Sequence, residues 1–223
     1  LLAVSYPKRY PDTGTTVALM QNGSVQATLT SSEGGGKIAF SSDGSRLVVG
    51  GLLNFQSISS EYRVQIEVFD TVNVVPLATW QPLDASDSVS ALSLSNDGSL
   101  LAISYDSGMV QVWQVANQSL LCTLDLEAES GSNDYGPAYA VLSARGPALN
   151  FSQDGAVLFS LGASGDDIEA YATASGQHLT TLNANTNYRD SSLEALVTFG
   201  LSSDGRYLLA GRQDGSVSLW GAP

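Results

Sequence analysis

The residue types that most often carry chemistry are scarce in these 223 residues. There is one histidine, His178, one cysteine, Cys122, and two lysines, Lys8 and Lys37. A nucleophilic site needs a Ser or Cys beside a tuned base. His178 stands in GQHLTTL, read as an edge strand, where a solvent-facing histidine is expected. Cys122 alone can form neither an intrachain disulfide nor a cysteine-based metal pattern, and reads as a small apolar filler of a strand. The run GGGK at Gly34 to Lys37 lacks the spacing and the following helix of a phosphate loop, and reads as a flexible linker ahead of a strand. Carboxylates gather at Asp84 and Asp87, from Asp125 to Asp134, and at Asp166, Asp167 and Glu169. Calcium would want several oxygen ligands around a turn-forming glycine. SGDDIE comes nearest, and a solvated turn is the plainer reading. The sequons at Asn22, Asn117 and Asn150 would matter only in a protein secreted from a eukaryotic cell. No catalytic residue, metal site or cofactor is expected, and the chain reads as a non-enzyme.

Composition narrows the partners. The formal charge of −13 and the pI near 4.1 oppose nucleic-acid binding, which needs clustered Lys and Arg. The 43% apolar content and 22 glycines spread along the chain are those of a globular protein. No apolar stretch approaches the roughly eighteen residues that span a bilayer, so direct membrane insertion is not expected. The first residues do not resemble a signal peptide. They read as an interior position of a longer polypeptide, and the compartment stays open, with an extracellular or periplasmic site slightly preferred to the cytoplasm.

The elements that must hold these residues announce themselves as a repeat. One octet occurs four times: FSSDGSRL from Phe40, LSNDGSLL from Leu94, FSQDGAVL from Phe151 and LSSDGRYL from Leu201. Its Asp-Gly supplies the positive φ of a tight hairpin, and the Ser before it can bond the turn backbone. A short apolar run follows each copy, LVVGG, LAISY or LLAGR, as in a buried strand. A second signature comes next: IEVF ending at Phe69, VQVW at Trp113, IEAY at Tyr171, VSLW at Trp220 and, more weakly, VALM at Met20. Alternation with a terminal aromatic describes a half-buried strand. A further strand closes the unit at an apolar position, Trp80, Leu124 or Leu182.

Each unit thus holds four strands, A to D. A runs into the Ser-x-Asp-Gly turn, B leaves it, C carries the aromatic and D closes the unit. Such units repeated radially make an all-β propeller of four-stranded antiparallel blades. The segments SGMVQVWQVANQSLLCTL (Ser107 to Leu124) and QDGSVSLW (Gln213 to Trp220) resemble the WD-repeat family. The family's Gly-His dipeptide is absent, and Gln114 and Gly221 stand where an Asp would follow the tryptophan, so the family's buried polar tetrad is not expected. The resemblance implies a divergent member acting as a scaffold for protein partners.

LLAVSY at the start matches LLAISY at Leu100 to Tyr105, so the chain opens in a B strand. Five B, five C, four A and four D strands are expected in one propeller domain. A partial blade covers residues 1–37, blades cover 38–85, 86–126 and 127–185, and a partial blade covers 186–223. These read as five blades of a ring of about seven, inside a larger assembly or a longer polypeptide, with an intact five-bladed ring of which two blades are imperfect as the alternative. The long connections, Tyr6 to Gly14, Gly51 to Arg63, Leu126 to Pro147 and Asn183 to Glu194, all join B to C or D to A and therefore share one rim. They carry Arg9, Tyr10, Phe55, Tyr62, Tyr135, Tyr139, Arg145, Tyr188 and Arg189. Tyr and Arg are favoured interface anchors, so this rim is the expected seat of a protein partner. Two rivals remain, a glycan- or ligand-binding extracellular propeller and a propeller enzyme with its chemistry at the central channel.

Overall fold

The structure is a computed structural model that describes residues 2–7, 14–31, 33–53, 63–82, 88–126, 149–162, 167–183, 196–202, 204–212 and 214–221. Among the described residues eighteen strands form five antiparallel sheets. The first sheet holds β1 (Leu2–Pro7), β2 (Thr15–Gln21) and β3 (Ser24–Ser31). The second holds β4 (Glu33–Phe40), β5 (Arg46–Leu53), β6 (Val64–Asp70) and β7 (Val75–Trp80). The third holds β8 (Val89–Leu94), β9 (Leu100–Tyr105), β10 (Met109–Gln114) and β11 (Ser119–Asp125). The fourth holds β12 (Leu149–Phe151), β13 (Val157–Leu161), β14 (Asp167–Ala172) and β15 (His178–Asn183). The last holds β16 (Leu196–Leu201), β17 (Tyr207–Arg212) and β18 (Val217–Gly221). Every sheet pairs its strands in chain order. The strands number four A, five B, five C and four D, as the turn spacing requires, and no helix occurs among the described residues.

Period-2 alternation sends successive side chains to opposite faces, and here each face finds a neighbouring sheet. Leu47 and Val49 of β5 pack with Val17 and Leu19 of the first sheet, while Val48 between them turns to the third sheet. In β9, Leu101, Ile103 and Tyr105 pack back onto the second sheet, and Ala102 packs forward with Leu158 and Tyr171 of the fourth. Phe199, Leu208 and Ala210 close the last joint against Leu161 and Ile168. Four apolar cores therefore weld five sheets face to face in chain order. Strands buried on both faces read as continuous apolar runs rather than strict alternation, which explains LVV and LLAI in the sequence. Fully burying one such Leu or Ile contributes roughly 1.5–3 kcal/mol. The A strands lie side by side, β4 against β8 and β8 against β12. Asn150 of β12 donates its Nδ2 to the carbonyl of Phe199 in β16 at 3.3 Å.

Two details depart from the sequence reading. GGGK is not a linker: it lies inside β4, which begins at Glu33, ahead of the boundary at residue 38. Its pairing with β5 slips between Gly34 and Lys37, and a Cβ on Gly36 would sit 3.1 Å from both the Gly50 carbonyl and Val49. Glycine here permits a bulge and a close backbone approach. In addition, each of the four C to D pairings shifts register at the aromatic position, between Leu19/Met20, Val68/Phe69, Val112/Trp113 and Ala170/Tyr171. The extra residue, Gln26, Leu77, Leu121 or Leu179, falls on the D strand. Such bulges increase local twist, which suits sheets stacked as propeller blades.

Candidate functional site

Antiparallel pairing puts the A–B and C–D turns at one rim and the B–C and D–A connections at the other. The first rim is described almost completely. In its A–B turns Ser41, Ser95, Ser152 and Ser202 each do two things. The hydroxyl donates to the Asp two residues on, at 2.6, 2.8, 2.6 and 2.6 Å. It also accepts the N–H of the residue five on, Arg46, Leu100, Val157 or Tyr207, at 2.9 to 3.0 Å. The Asp in turn accepts the N–H of Ser45, Ser99, Ala156 or Arg206. Only the glycine takes positive φ, near +70° in all four copies. The Asp serves as a hydrogen-bond acceptor.

These bonds have an electrostatic consequence. The Ser hydroxyls hold the Asp43, Asp154 and Asp204 carboxyls below the usual range, and the Ser99 N–H does the same for Asp97. The rim therefore carries a carboxylate at each A–B turn, fixed for structure rather than reaction. C–D turns lock onto it from beside: Thr71 and Thr173 donate their hydroxyls to the Gly44 and Gly155 carbonyls at 2.6 and 2.7 Å.

A second set of polar groups lies on the C strands, two residues before the aromatic and on its face. In the third sheet the buried Gln111 Oε1 accepts both the Tyr105 hydroxyl at 3.0 Å and the Trp113 indole N–H at 3.1 Å. In the fourth, Glu169 takes this place, with His178 Nε2 at 2.6 Å and the Thr181 hydroxyl at 2.7 Å. Glu67, also buried, accepts from Gln65 at 2.7 Å, and Ser218 meets Arg212 at 3.0 Å. These groups let a polar side chain sit between sheets with its bonds made. The signal was present in the sequence as VQVW, IEVF, IEAY and VSLW, where a polar residue shares the face of the aromatic, and sequence reasoning passed over it.

His178 is therefore not a solvent-facing histidine. It is half-buried, paired with Glu169 and set edge-on to Tyr171 at 5.4 Å between ring centroids. With Glu169 engaged by His178 and Thr181, that carboxylate serves the sheet. Asp166, together with Asp84, Asp87 and the Asp134 end of the second acidic run, lies outside the described residues, and no group of three metal-ligating side chains occurs among those described. Cys122 packs half-buried between β11 and the fourth sheet, where burial pushes its thiol up. Asn22 and Asn117 occupy exposed C–D turns, and Asn150 is used by the β12 to β16 bond. The nine residues expected to anchor a partner, Arg9, Tyr10, Phe55, Tyr62, Tyr135, Tyr139, Arg145, Tyr188 and Arg189, all lie outside the described residues.

No helix among the described residues is long and apolar enough to cross a membrane. No curated protein matches the chain. Two segments do match a family model, the WD domain, G-beta repeat, over residues 76–114 and 176–221. Each match starts on or beside a D strand, β7 or β15, and ends at the aromatic C strand of the next sheet, β10 or β18. That stagger carries the chain across an inter-sheet joint within one repeat. Repeats of this family generally mediate protein–protein interaction and are typically non-enzymatic. Over these two segments, 85 of the 223 residues, the chain carries WD-type repeats in a divergent form, which supports its resemblance to the WD-repeat family, and the polar groups of its sheets include Gln111, Glu169 and their partners.

Proposed function

We propose that the chain is a non-catalytic interaction platform that docks a protein partner on the rim formed by its B–C and D–A connections. The observation that carries this reading is the division of connection lengths. All A–B turns run between the same two points of the octet, and the C–D turns are similarly tight. The wide gaps, between β5 and β6, between β11 and β12 and between β15 and β16, belong to the other rim. Variation confined to one face of a repeat protein marks a surface free to specialise. Those three connections hold three arginines and four of the nine tyrosines, the residue types favoured as anchors. The family's general role in protein binding supports the same reading.

Tyr62, Tyr139 and Tyr188 are the test. Replacing all three by Ala and using the wild-type protein as bait in parallel should abolish capture of the rim's partner, with the far-UV spectrum and melting temperature unchanged. Equal capture by a folded triple variant would overturn the assignment.

A further inference from the structure

The turn between β2 and β3 consists of two residues, Asn22 and Gly23, both exposed and both at positive φ, +52° and +78°. Positive φ at both central residues defines the tight hairpin turn that Asn-Gly favours. The same pair leaves an asparagine amide open to attack by the backbone nitrogen that follows it. Of the ten asparagines in the chain, Asn22 alone precedes glycine. A glycine nitrogen has no neighbouring side chain to shield it, and no atom lies within 4 Å of the place where a Cβ on Gly23 would stand. Other asparagines are engaged. At the corresponding turn of the third sheet, Asn117 Oδ1 accepts the N–H and the hydroxyl of Ser119 at 3.3 and 2.8 Å. Asn73 Nδ2 donates to Asp70 at 2.9 Å, and Asn150 Nδ2 to the Phe199 carbonyl. The Asn22 amide makes no such bond among the described residues.

Exposure here is a property of the turn, since Asn117 is exposed as well, in a sheet covered on both faces. The hairpin tip is also lightly held. The bulge between Leu19 and Met20 leaves two residue pairs between itself and the turn, Met20 with Val25 and Gln21 with Ser24. Ser24, Val25 and Gln26 are exposed, so the tip can open without disturbing Val17, Leu19 or Leu29, which pack in the core shared with the second sheet. We propose that Asn22–Gly23 is a self-modification site, at which the folded chain loses ammonia and converts its hairpin tip to a mixture of aspartyl and isoaspartyl linkages. The Gly23 nitrogen attacks Cγ of Asn22, and an N–C bond forms. The Cγ–Nδ2 bond breaks, and Nδ2 leaves as ammonia with the proton that Gly23 gives up. Water then opens the resulting cyclic imide at either carbonyl. One opening restores the original backbone with a carboxylate side chain. The other routes the backbone through Cβ and Cγ and lengthens the turn by one carbon. Either product adds a negative charge, and the longer one cannot keep the two-residue turn that fixes the β2–β3 register.

The test holds the folded chain in buffer at physiological pH and temperature for days and follows it by peptide mass spectrometry, with far-UV spectra to show that it stays folded. Asn22 should convert while Asn73, Asn117 and Asn150 do not. An isoaspartyl carboxyl methyltransferase with its methyl donor should label the aged chain at that position. Asn22→Gln, whose longer side chain closes the ring poorly, should lose both signals, and glutamine is accommodated at positive φ in a C–D turn at Gln118. Conversion of Asn22 in a chain unfolded by urea but not in the folded one would overturn the proposal, because the hairpin would then protect the amide. So would conversion of the engaged asparagines at the same rate, or labelling that persists in Asn22→Gln.

Discussion

At the scale of single residues, the Ser-x-Asp-Gly turn combines three constraints that can be separated by substitution. Gly44 and Gly98 both sit at positive φ, yet a Cβ on Gly44 meets open space while one on Gly98 meets the Arg46 side chain at 2.4 Å. Gly44→Ala should therefore cost only the left-handed strain, about 1–2 kcal/mol, and Gly98→Ala should cost more, as read by urea unfolding. Ser95 is buried and makes two bonds, so Ser95→Ala should lower the unfolding free energy by about 1–2 kcal/mol. The turn carboxyls add a pH signature. Their folded values lie below the ordinary 3.8, so the stability they contribute is present above that value and is lost as the pH falls through the lower, folded one. Melting temperature should decline below about pH 4, and less steeply in Ser95→Ala. An unchanged acid limb in that variant would remove the Ser–Asp bond from the explanation.

At the scale of the element, the C strand carries two periodic demands at once. Its forward residues, such as Val110 and Val112, are apolar and fully buried. Its backward residues include the aromatic and the polar group two places before it. Gln111→Leu would leave the Tyr105 hydroxyl and the Trp113 indole without that shared acceptor. The cost should be about 1–3 kcal/mol, the loss of two buried hydrogen bonds at about 0.5–1.5 kcal/mol each. Equilibrium unfolding followed by tryptophan fluorescence measures it, and a loss under half a kilocalorie would show that the network is incidental. The C–D turns hold strain of their own, because Val74 and Gln118 adopt positive φ. Gln118 is exposed, and Gln118→Gly should stabilise the protein by up to about 1 kcal/mol in the same assay.

At the scale of the whole molecule, stability follows the number of covered faces. The second, third and fourth sheets are packed on both sides, and the first and last on one. In a stack where each sheet contacts only its neighbours, local opening is easiest at the ends. Native-state hydrogen exchange should accordingly find β8 to β11 slowest, with β1 to β3 and β16 to β18 faster by orders of magnitude in dilute solution. Uniform protection would mean that the terminal faces are already covered.

The repeat itself was legible without coordinates, because a hairpin turn and a buried strand each impose a local residue pattern, and four copies fix the strand count. LLAVSY against LLAISY was enough to assign β1 as a B strand, since the same residue alternation marks the same strand of a repeated unit, even though Leu2, Val4 and Tyr6 are exposed where Leu101, Ile103 and Tyr105 are buried. What local pattern cannot carry is which surface a side chain meets across a joint. His178 read as solvent-facing until Glu169 and Tyr171 came beside it through pairing and bulge, and GGGK read as a linker until β5 drew it into a sheet. Sequence alone determined the elements, their order and the poverty of reactive groups, because these follow from residue type and spacing within one strand or turn. Only the tertiary structure decided the polar partners between sheets and which neighbouring sheet each strand face meets. Both depend on contacts between residues far apart in the chain, and burial exists only once sheets have stacked.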